Sequence, residues 1–424
     1  MITLIEAKGY KSLRYVRQPL GNFHILVGPN ASGKTAFLDV VVFLGDLLRE
    51  SPEAAVMKRS RSLQELVWKG EADAFELAVE MAVPEALRKR FPEPYPFCRY
   101  EVRVGMGSQG GVQLLSENFW LLRSSSAPLR HQAGFPQEIE PSGPVVWPVH
   151  KRSPAARRRV VSLQKDGLAY FHSETTDWRF PLRPAPQRAA LVSLSDTERF
   201  PVTTWAQMVL TQGVQLLMLN SALMRWPCSP LARRILQPDG SNLALAVRYL
   251  RDHYPEDFQQ WLQHLQAFFP NLQDIQVRER EEDRHLYLVA QIGGMMLPSW
   301  LLSDGTLRLL ALTLLAYLPP EGGEENGEFR GIQPVYLIEE PENGIHPRAI
   351  EAVFQSLSSA YNRQILIATH SPLLVGLAEP KQILCFAQTR NGATDILQGD
   401  QHPHLKDWRK EINLGELYAA GVLG

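Results

Sequence analysis

An eight-residue loop near the amino terminus constrains this chain more than any other stretch. The residues Gly28-Pro29-Asn30-Ala31-Ser32-Gly33-Lys34-Thr35 match the phosphate-binding pattern G-x-x-x-x-G-K-[ST] in full. The apolar run 23–27 before the loop is typical of a short strand, and the run 36–48 after it is typical of a helix. In that setting backbone N–H groups converge on a phosphate. The sequence therefore predicts a nucleotide site, with Lys34 against the β- and γ-phosphates and Thr35 on Mg²⁺.

Length, composition and charge limit the number of domains and the classes of protein to which this chain can belong. The chain has 424 residues, 45% hydrophobic and 21% charged, which is typical of a globular protein of one large or two to three ordinary domains. A net charge of −1 gives no bulk attraction to nucleic acid or to an anionic membrane. Cys98, Cys228 and Cys385 lie far apart, which argues against a zinc site or a disulfide framework. With neither a signal-peptide pattern nor an apolar run of membrane-spanning length, we expect a cytoplasmic protein without membrane contact.

Periodicity predicts most of the remaining elements. Strands are expected at 2–7, 74–81, 100–104 and 112–115, the last three as an antiparallel meander, with a turn-rich link from Lys8 to Gly21. Residues 203–224 have a helical pattern, and a capped helix follows 239–242. A Trp/Phe stripe over 258–269 is interpreted as core, and 277–292 as a hairpin that turns at 281–283.

A basic segment allows two interpretations. Residues 123–188 are rich in Pro, Ser and Arg, with weak periodicity, and include Lys151-Arg152, Arg157-Arg158-Arg159 and Trp178-Arg179. One interpretation is a solvated loop or a short irregular subdomain. The other is that Lys151–Arg159 contacts the phosphates of DNA or RNA, with aromatic neighbours for the bases.

Two apolar strands downstream end in side chains suited to nucleotide chemistry. The run 335–341 ends in Glu339 and Glu340, the first placed to approach Mg²⁺ and the second to polarise an attacking water. A tight turn at 342–347 follows, and the next apolar strand, 364–369, leads to His370, which we interpret as a sensor of the γ-phosphate.

A third segment precedes an apolar helix. Ser303-Asp304-Gly305 stands before the apolar run 309–318, so the Ser303 hydroxyl and the Gly305 N–H are expected at a helix N-terminus, where the dipole favours a phosphate.

Taken together, these motifs resemble the ABC-type ATPase heads of the SMC, RecF and OLD group, and within it the stand-alone bacterial OLD-like AAA-family ATPases without a nuclease domain. The resemblance covers residues 1 to about 50 and about 286 to 424. It implies an α/β P-loop NTPase fold: an ABC-type head with a mixed sheet, an antiparallel meander and an inserted, mainly helical subdomain. The expected division is 1–122 and 286–424 for the ATPase lobe, 123–190 for the basic insertion and 191–285 for the helical subdomain.

The resemblance also implies a role for each motif. ATP is expected to lie on the Walker A loop, and Mg²⁺ on Thr35 and Glu339. The catalytic residues would be Lys34, Glu340 and His370. The residues expected to contact ATP are Gly28, Pro29, Asn30, Ala31, Ser32, Gly33, Lys34, Thr35 and Ala36, with Ser303, Asp304 and Gly305 as the signature.

The chain departs from the family pattern at three points. Glu339 stands where most ABC enzymes have Asp, and Asp304 stands where transporters have Gly. The glutamine-loop residue stays open among Gln64, Gln132, Gln137 and Gln164.

By this resemblance the expected function is ATP hydrolysis coupled to an ATP-dependent homodimer. It would control a DNA-related or anti-phage defence process through a separately encoded nuclease or toxin. The alternative is an ATP-dependent scaffold or sensor with negligible turnover that holds such a partner. A transporter subunit is disfavoured because many more residues separate Lys34 from Ser303 than in those subunits.

Overall fold

The structure is a computed structural model that describes residues 1–91, 95–107, 110–126, 134–141, 143–149, 156–164, 166–185, 187–319, 324–325, 328–329, 332–405 and 413–423. Within these residues the strands are β1 (Ile2–Tyr10), β2 (Leu13–Pro19), β3 (Phe23–Val27), β4 (Ala74–Ala82), β5 (Phe97–Met106), β6 (Val112–Leu122), β7 (Arg157–Leu163), β8 (Ala169–His172), β9 (Arg179–Leu182), β10 (Val214–Leu217), β11 (Leu272–Glu279), β12 (Leu286–Ile292), β13 (Met295–Pro298), β14 (Glu324–Glu325), β15 (Glu328–Phe329), β16 (Val335–Glu339), β17 (Gln364–Ala368), β18 (Ile383–Gln388) and β19 (Thr394–Gln398). The α-helices are α1 (Lys34–Arg49), α2 (Pro52–Met57), α3 (Glu85–Arg88), α4 (Pro201–Met208), α5 (Ser221–Arg225), α6 (Leu243–His253), α7 (Pro255–Phe268), α8 (Asp304–Leu314), α9 (Pro347–Ser358), α10 (Pro372–Leu377) and α11 (Leu414–Ala419).

A six-stranded sheet contains the strand that leads into the loop at 28–35. Its order is β10-β16-β17-β3-β18-β19, and all neighbours are parallel except β18 and β19. Its central strands are apolar on both faces: Leu26 and Leu366 enter one core, whereas Ile25 and Ile367 enter a second core on the opposite side. Because the carboxyl ends of parallel strands meet at one edge, the segments that follow β3, β10, β16 and β17 converge there.

The predicted meander is present and is larger than the sequence indicated. An antiparallel sheet runs in the order β2-β1-β4-β5-β6-β7-β8-β9, so the mixed α/β fold class is confirmed. Helix α1 packs between the two large sheets, where its Phe43 ring contacts Tyr10 and Phe75 of the meander sheet and its Phe37 ring contacts Phe386 of β18.

The interpretation of the basic segment as a solvated loop or irregular subdomain is wrong for residues 157–182. Strands β7, β8 and β9 continue the meander sheet there. Val160, Val161 and Phe171 are fully buried, but the strands are short and lie beside arginines, so the sequence has no clear strand periodicity there. Lys151 and Arg152 lie outside the described residues. The four-part division of the chain stays a prediction.

The turn-rich link predicted from Lys8 to Gly21 is also wrong. It contains the end of β1 and the whole of β2, which pair as a hairpin with Glu6 opposite Arg17. Leu13 and Val16 of β2 are buried, and Arg17 forms an ion pair with Glu6 at 3.4 Å. Cross-strand pairing of charged residues, which local composition does not reveal, stabilises this strand.

The helix predicted over 203–224 is interrupted. Helix α4 ends at Met208, a π-helical turn follows at Val209–Gly213, and β10 then runs parallel to β16 with Val214 opposite Val335. Pairing with a distant strand therefore overrides the helical periodicity.

The remaining helices and the hairpin are confirmed, but the predicted cap of α6 is not, because the Asn242 side chain donates to the carbonyl oxygens of Arg233 and Ile235 instead. Helices α6 and α7 follow one another, and Phe258, Trp261 and Leu265 of the aromatic stripe are buried core residues. The hairpin is formed by β11 and β12, and β13 adds a third strand. In the described part of the chain, helices long and apolar enough to cross a membrane are absent.

Candidate nucleotide-binding site

The loop between β3 and α1 has a backbone that requires its glycines. Gly28 has φ 149° and Gly33 has φ 102°, both outside the range that side chains readily adopt. A Cβ at Gly28 would collide with the carbonyl oxygen of Phe386, and one at Gly33 with the Thr394 hydroxyl. The loop therefore lies directly against β18 and β19, and these contacts determine its shape.

Lys34 lies folded over this loop. Its Nζ donates hydrogen bonds to the carbonyl oxygens of Gly28 at 2.8 Å and Pro29 at 2.9 Å. Burial lowers the pKa of Lys34, while Glu340 and Glu339 act in the opposite direction. The ammonium therefore stands within the electrostatic reach of both carboxylates that end β16.

The carboxyl edge of the six-stranded sheet holds a cleft of about 970 Å³ that brings most of the predicted site residues together. Its lining includes the following predicted residues: Asn30, Ala31, Ser32, Gly33, Lys34, Thr35, Ala36, Asp304, Glu339, Glu340 and His370. Gly28, Pro29, Ser303 and Gly305 do not contribute to that lining.

The two acids differ in their surroundings. Glu339 ends β16, and its Oε1 is buried without a hydrogen-bond partner. Glu340 is exposed and has φ 47°, while its N–H donates to the Ala368 carbonyl at 2.8 Å. Its Oε2 accepts a hydrogen bond from Asn343 Nδ2 at 2.5 Å. A non-glycine residue at positive φ is a local strain of the kind often found at functional sites.

His370 follows β17 and is positioned by residues from two other segments. Its N–H donates to Glu342 Oε1 at 3.2 Å, and the same oxygen accepts from the Thr369 hydroxyl at 2.6 Å. On the imidazole side, Nδ1 lies 3.4 Å from the Tyr418 hydroxyl, which lies 3.4 Å from the Gly28 carbonyl. Helix α11 thus reaches the phosphate loop through Tyr418, a contact for which the sequence has no local signal.

The signature segment begins α8. Ser303 is the N-cap, and its Oγ accepts from Thr306 N–H at 3.2 Å. Asp304 forms an ion pair with Arg225 (2.5 Å), whose Nη2 also donates to the Leu302 carbonyl at 3.1 Å. At Gly305 a Cβ would collide with the Gly344 carbonyl, so the turn after Glu340 packs against the start of α8.

The end of β10 and the segment after it also line the cleft, which the helix predicted over 203–224 does not indicate. Leu217 ends β10, Met218, Leu219 and Asn220 follow it, and Ser221, Ala222 and Arg225 belong to α5. Of the glutamine-loop candidates that the structure describes, Gln64, Gln137 and Gln164 do not line the cleft; Gln132 lies outside the described residues.

The donors fit a magnesium nucleotide. Glu339 Oε1 and Ser32 Oγ are buried without partners, which is the state expected of groups that bind a ligand. Mg²⁺ commonly takes only one or two protein oxygens, with phosphates and waters completing its octahedron. Thr35 and Glu339 line the cleft and supply oxygens of that kind.

The sequence comparison finds one family model for part of the chain. Residues 233–376 match the family described as "AAA domain, putative AbiEii toxin, Type IV TA system". The matched range includes the signature, Glu339, Glu340 and His370, but not the loop at 28–35. No curated protein is similar enough in sequence to count as a match.

Solved structures resemble the chain over almost its full length. An Smc head bound to the C-terminal winged-helix domain of ScpA superposes with a TM-score of 0.54 at 16% identity, covering 93% of this chain and 97% of that one. An Smc head with an extended coiled coil, bound to the C-terminal domain of ScpA from Pyrococcus furiosus, has a TM-score of 0.50 at 15% identity, with coverages of 93% and 95%. At such identities the likeness shows the fold alone: the chain has the P-loop NTPase fold of an ABC-type ATPase head.

Proposed function

We propose that this chain binds and hydrolyses ATP in the cleft and that its ATP-bound form joins a second copy. One observation supports this most directly. The phosphate loop, both carboxylates that end β16 and His370 line a single cleft, in which Glu339 keeps a buried oxygen without a partner. A structural carboxylate in that position would be expected to have a hydrogen-bond partner.

Binding uses the loop and two oxygen donors. The loop N–H groups and the start of α1 cradle the phosphates, and Lys34 exchanges its contacts with the Gly28 and Pro29 carbonyls for the β- and γ-phosphates. Thr35 and Glu339 hold Mg²⁺, which when bound neutralises the negative charge that develops on the phosphates.

Hydrolysis then depends on Glu340. Asn343 fixes one oxygen of its carboxylate, so that the other is directed towards an attacking water, which Glu340 orients and deprotonates. His370 contacts the γ-phosphate side of the cleft, with its backbone held by Glu342 and its ring beside Tyr418.

The face around the signature supports closure by a second copy. Ser303, Asp304 and Gly305 stand at the start of α8, where N–H groups favour an anion. Large apolar side chains surround them: Leu301 is 64% exposed, Trp226 is 68% exposed, and Trp300 is exposed as well. Apolar side chains in such number beside a polar helix terminus are typical of an interaction surface.

We further propose that this cycle controls a DNA-related or anti-phage defence process through a separately encoded nuclease or toxin. The matching family's description names a toxin of a Type IV toxin–antitoxin system, and the similar Smc heads were solved bound to a separate protein, ScpA. Both point to a head that acts with a partner.

The test is Glu340→Gln, which keeps the shape of the side chain and removes the base. Turnover should fall by about 10²- to 10⁴-fold because general-base catalysis is lost. ATP should still bind, and the ATP-dependent dimer should accumulate. Phosphate release measures turnover, and light scattering with and without ATP measures mass. Glu351→Gln, an exposed site on α9, is the matched control.

Each contrary result has a defined meaning. If Glu340→Gln binds ATP but keeps one mass with and without it, ATP-driven dimerisation is refuted. Ser303→Arg should bind ATP and stay monomeric; a normal ATP-dependent dimer would remove the signature from the interface. Wild-type protein that dimerises on ATP without measurable turnover would establish the scaffold alternative instead.

A further inference from the structure

The arginines of β7 are not equivalent. Arg157 lies over the rings of Trp120 and Trp147, at 5.0 and 4.4 Å from their centroids, and Arg158 donates to the carbonyl oxygens of Ser173 (2.6 Å) and Thr176 (3.0 Å). In Arg159 both Nε and Nη1 are buried without a hydrogen-bond partner, whereas in Arg157 only Nε is. Buried N–H groups without an acceptor are costly, and a ligand that supplies an acceptor would remove that cost.

The neighbouring strands present a polar face beside Arg159. On β8 and β9, Tyr170 is opposite Pro181 and His172 is opposite Arg179. Side chains two residues apart point to the same face of a strand, so Tyr170, His172 and Arg179 share one face. Phe171 and Phe180 stack at 4.9 Å on the opposite face, towards the core.

This face is cationic. Burial lowers the pKa of His172, and Arg159, Arg179 and Arg158 lower it further, in that order. All three guanidiniums therefore stand within electrostatic reach of one imidazole. Among the ion pairs of the described residues, none includes Arg158, Arg159 or Arg179. Glu174, a nearby carboxylate, is occupied by the N–H groups of Val202 and Thr203.

We propose that Arg159, Arg179 and His172 bind the phosphates of a single-stranded nucleic acid at the outer edge of the meander sheet, and that Tyr170 stacks with a base. The Tyr170 side chain is 40% exposed and lies on the same face as His172 and Arg179. A cationic strip with an adjacent exposed aromatic ring is the arrangement by which proteins bind single strands without reading their sequence. The net charge of −1 means that attraction to nucleic acid must come from such a local site.

The first experiment measures the phosphate contacts. Anisotropy of a labelled 20-nucleotide oligo-dT is followed at several salt concentrations, without ATP. In Arg159→Gln/Arg179→Gln, affinity should fall, and the slope of log affinity against log salt should flatten by about 1.4, since each single-strand phosphate contact contributes about 0.7. Arg280→Gln/Arg284→Gln is the control, because it removes the same charge from arginines already paired with acids.

The second experiment separates base from phosphate. Tyr170→Ala should weaken oligo-dT binding about 5- to 150-fold, the range of one lost stacking contact, and should leave the salt slope unchanged. The circular-dichroism spectrum and the midpoint of thermal unfolding should be unchanged in every variant, which verifies the fold by a measurement that does not depend on the proposed ATPase.

Several results would overturn the proposal. They are a wild-type protein that does not bind the oligonucleotide, an equal loss in the control pair, and a Tyr170→Ala variant that binds like wild type. Titration with inorganic phosphate at constant ionic strength is the last arm. If phosphate binds and the oligonucleotide does not, the site takes free phosphate and the nucleic-acid proposal is wrong.

Discussion

Two regions of the molecule bury charge in opposite ways. In the meander sheet, the fully buried Arg99 donates to Glu6 at 2.7 Å, Glu80 at 3.2 Å and Glu101 at 2.8 Å. In the nucleotide cleft, Glu339 Oε1 and Ser32 Oγ are buried with no partner at all. The fold provides partners for every charged group of the first cluster, but it provides none for these two oxygens of the second.

The difference separates structural charge from functional charge. Burial alone would lower the pKa of Arg99, but Glu101, Glu6 and Glu80 outweigh it and raise that pKa. These four groups therefore need nothing from outside the chain. A buried oxygen that the fold leaves without a partner, in contrast, calls for an explanation, and in a cleft a bound ligand is one. The comparison predicts that substitutions in the two clusters affect different measurements.

The largest expected effect is the loss of nucleotide binding in Lys34→Ala. The variant removes the cation that we place against the β- and γ-phosphates, so calorimetric titration should detect no ATP binding. The midpoint of thermal unfolding should change little, because Lys34 bonds only to loop carbonyls. Lys89→Ala, at an exposed surface lysine, is the control. Unchanged ATP affinity in Lys34→Ala would contradict the assignment of the loop.

Arg99→Met should show the reverse behaviour. It leaves three buried glutamates without their shared cation, and breaking buried ion pairs in this way typically costs about 3–5 kcal/mol of the free energy of unfolding. Chemical denaturation measures that loss, while the folded fraction should still bind ATP. Arg103→Met on the same strand should cost far less, because the Arg103 side chain is half exposed and lies 3.8 Å from its partner Glu76. Equal losses in both variants would contradict the distinction between the two clusters.

The smallest effect is expected at Arg225, which lines the cleft and is also paired with a carboxylate of the chain. Its ion pair with Asp304 is partly exposed to solvent, so Arg225→Gln should remove at most about 1 kcal/mol of stabilisation of the signature turn. We expect an ATP-dependent dimer weakened up to about fivefold, with ATP affinity of the monomer unchanged. Light scattering over a concentration series measures the first, and titration the second. Arg248→Gln, on the exposed face of α6, is the control. A matching loss of ATP affinity would place Arg225 on the nucleotide instead.

The parts of the site that could be predicted are those encoded in short, continuous segments. The loop at 28–35, the acids after β16 and His370 each follow an apolar strand, and parallel strands deliver their ends to one edge. Arg225 and Tyr418 could not be found in this way. Arg225 pairs with Asp304, 79 residues away at the start of α8, and Tyr418 contacts Gly28, 390 residues away in the phosphate loop.

The same dependence on distant contacts explains why parts of the fold prediction are wrong. Strand β10 has helical periodicity in the sequence, but its pairing with β16 decides its conformation. Strands β7, β8 and β9 are short and rich in arginine, so the local sequence does not show which of their residues are buried in the sheet. In both cases a long-range contact outweighed the local pattern.

Helix α1 connects the phosphate loop to the remote side of the molecule. It begins at Lys34 and ends at Arg49, a rod about 24 Å long that is buried between the two large sheets. At its far end, Arg49 donates to the Thr211 carbonyl (2.5 Å), just ahead of β10, and β10 leads back into the cleft at Leu217. Helix α1 and strand β10 therefore join two separate parts of the cleft lining, the phosphate loop and Leu217, by a route that runs through the Arg49–Thr211 contact.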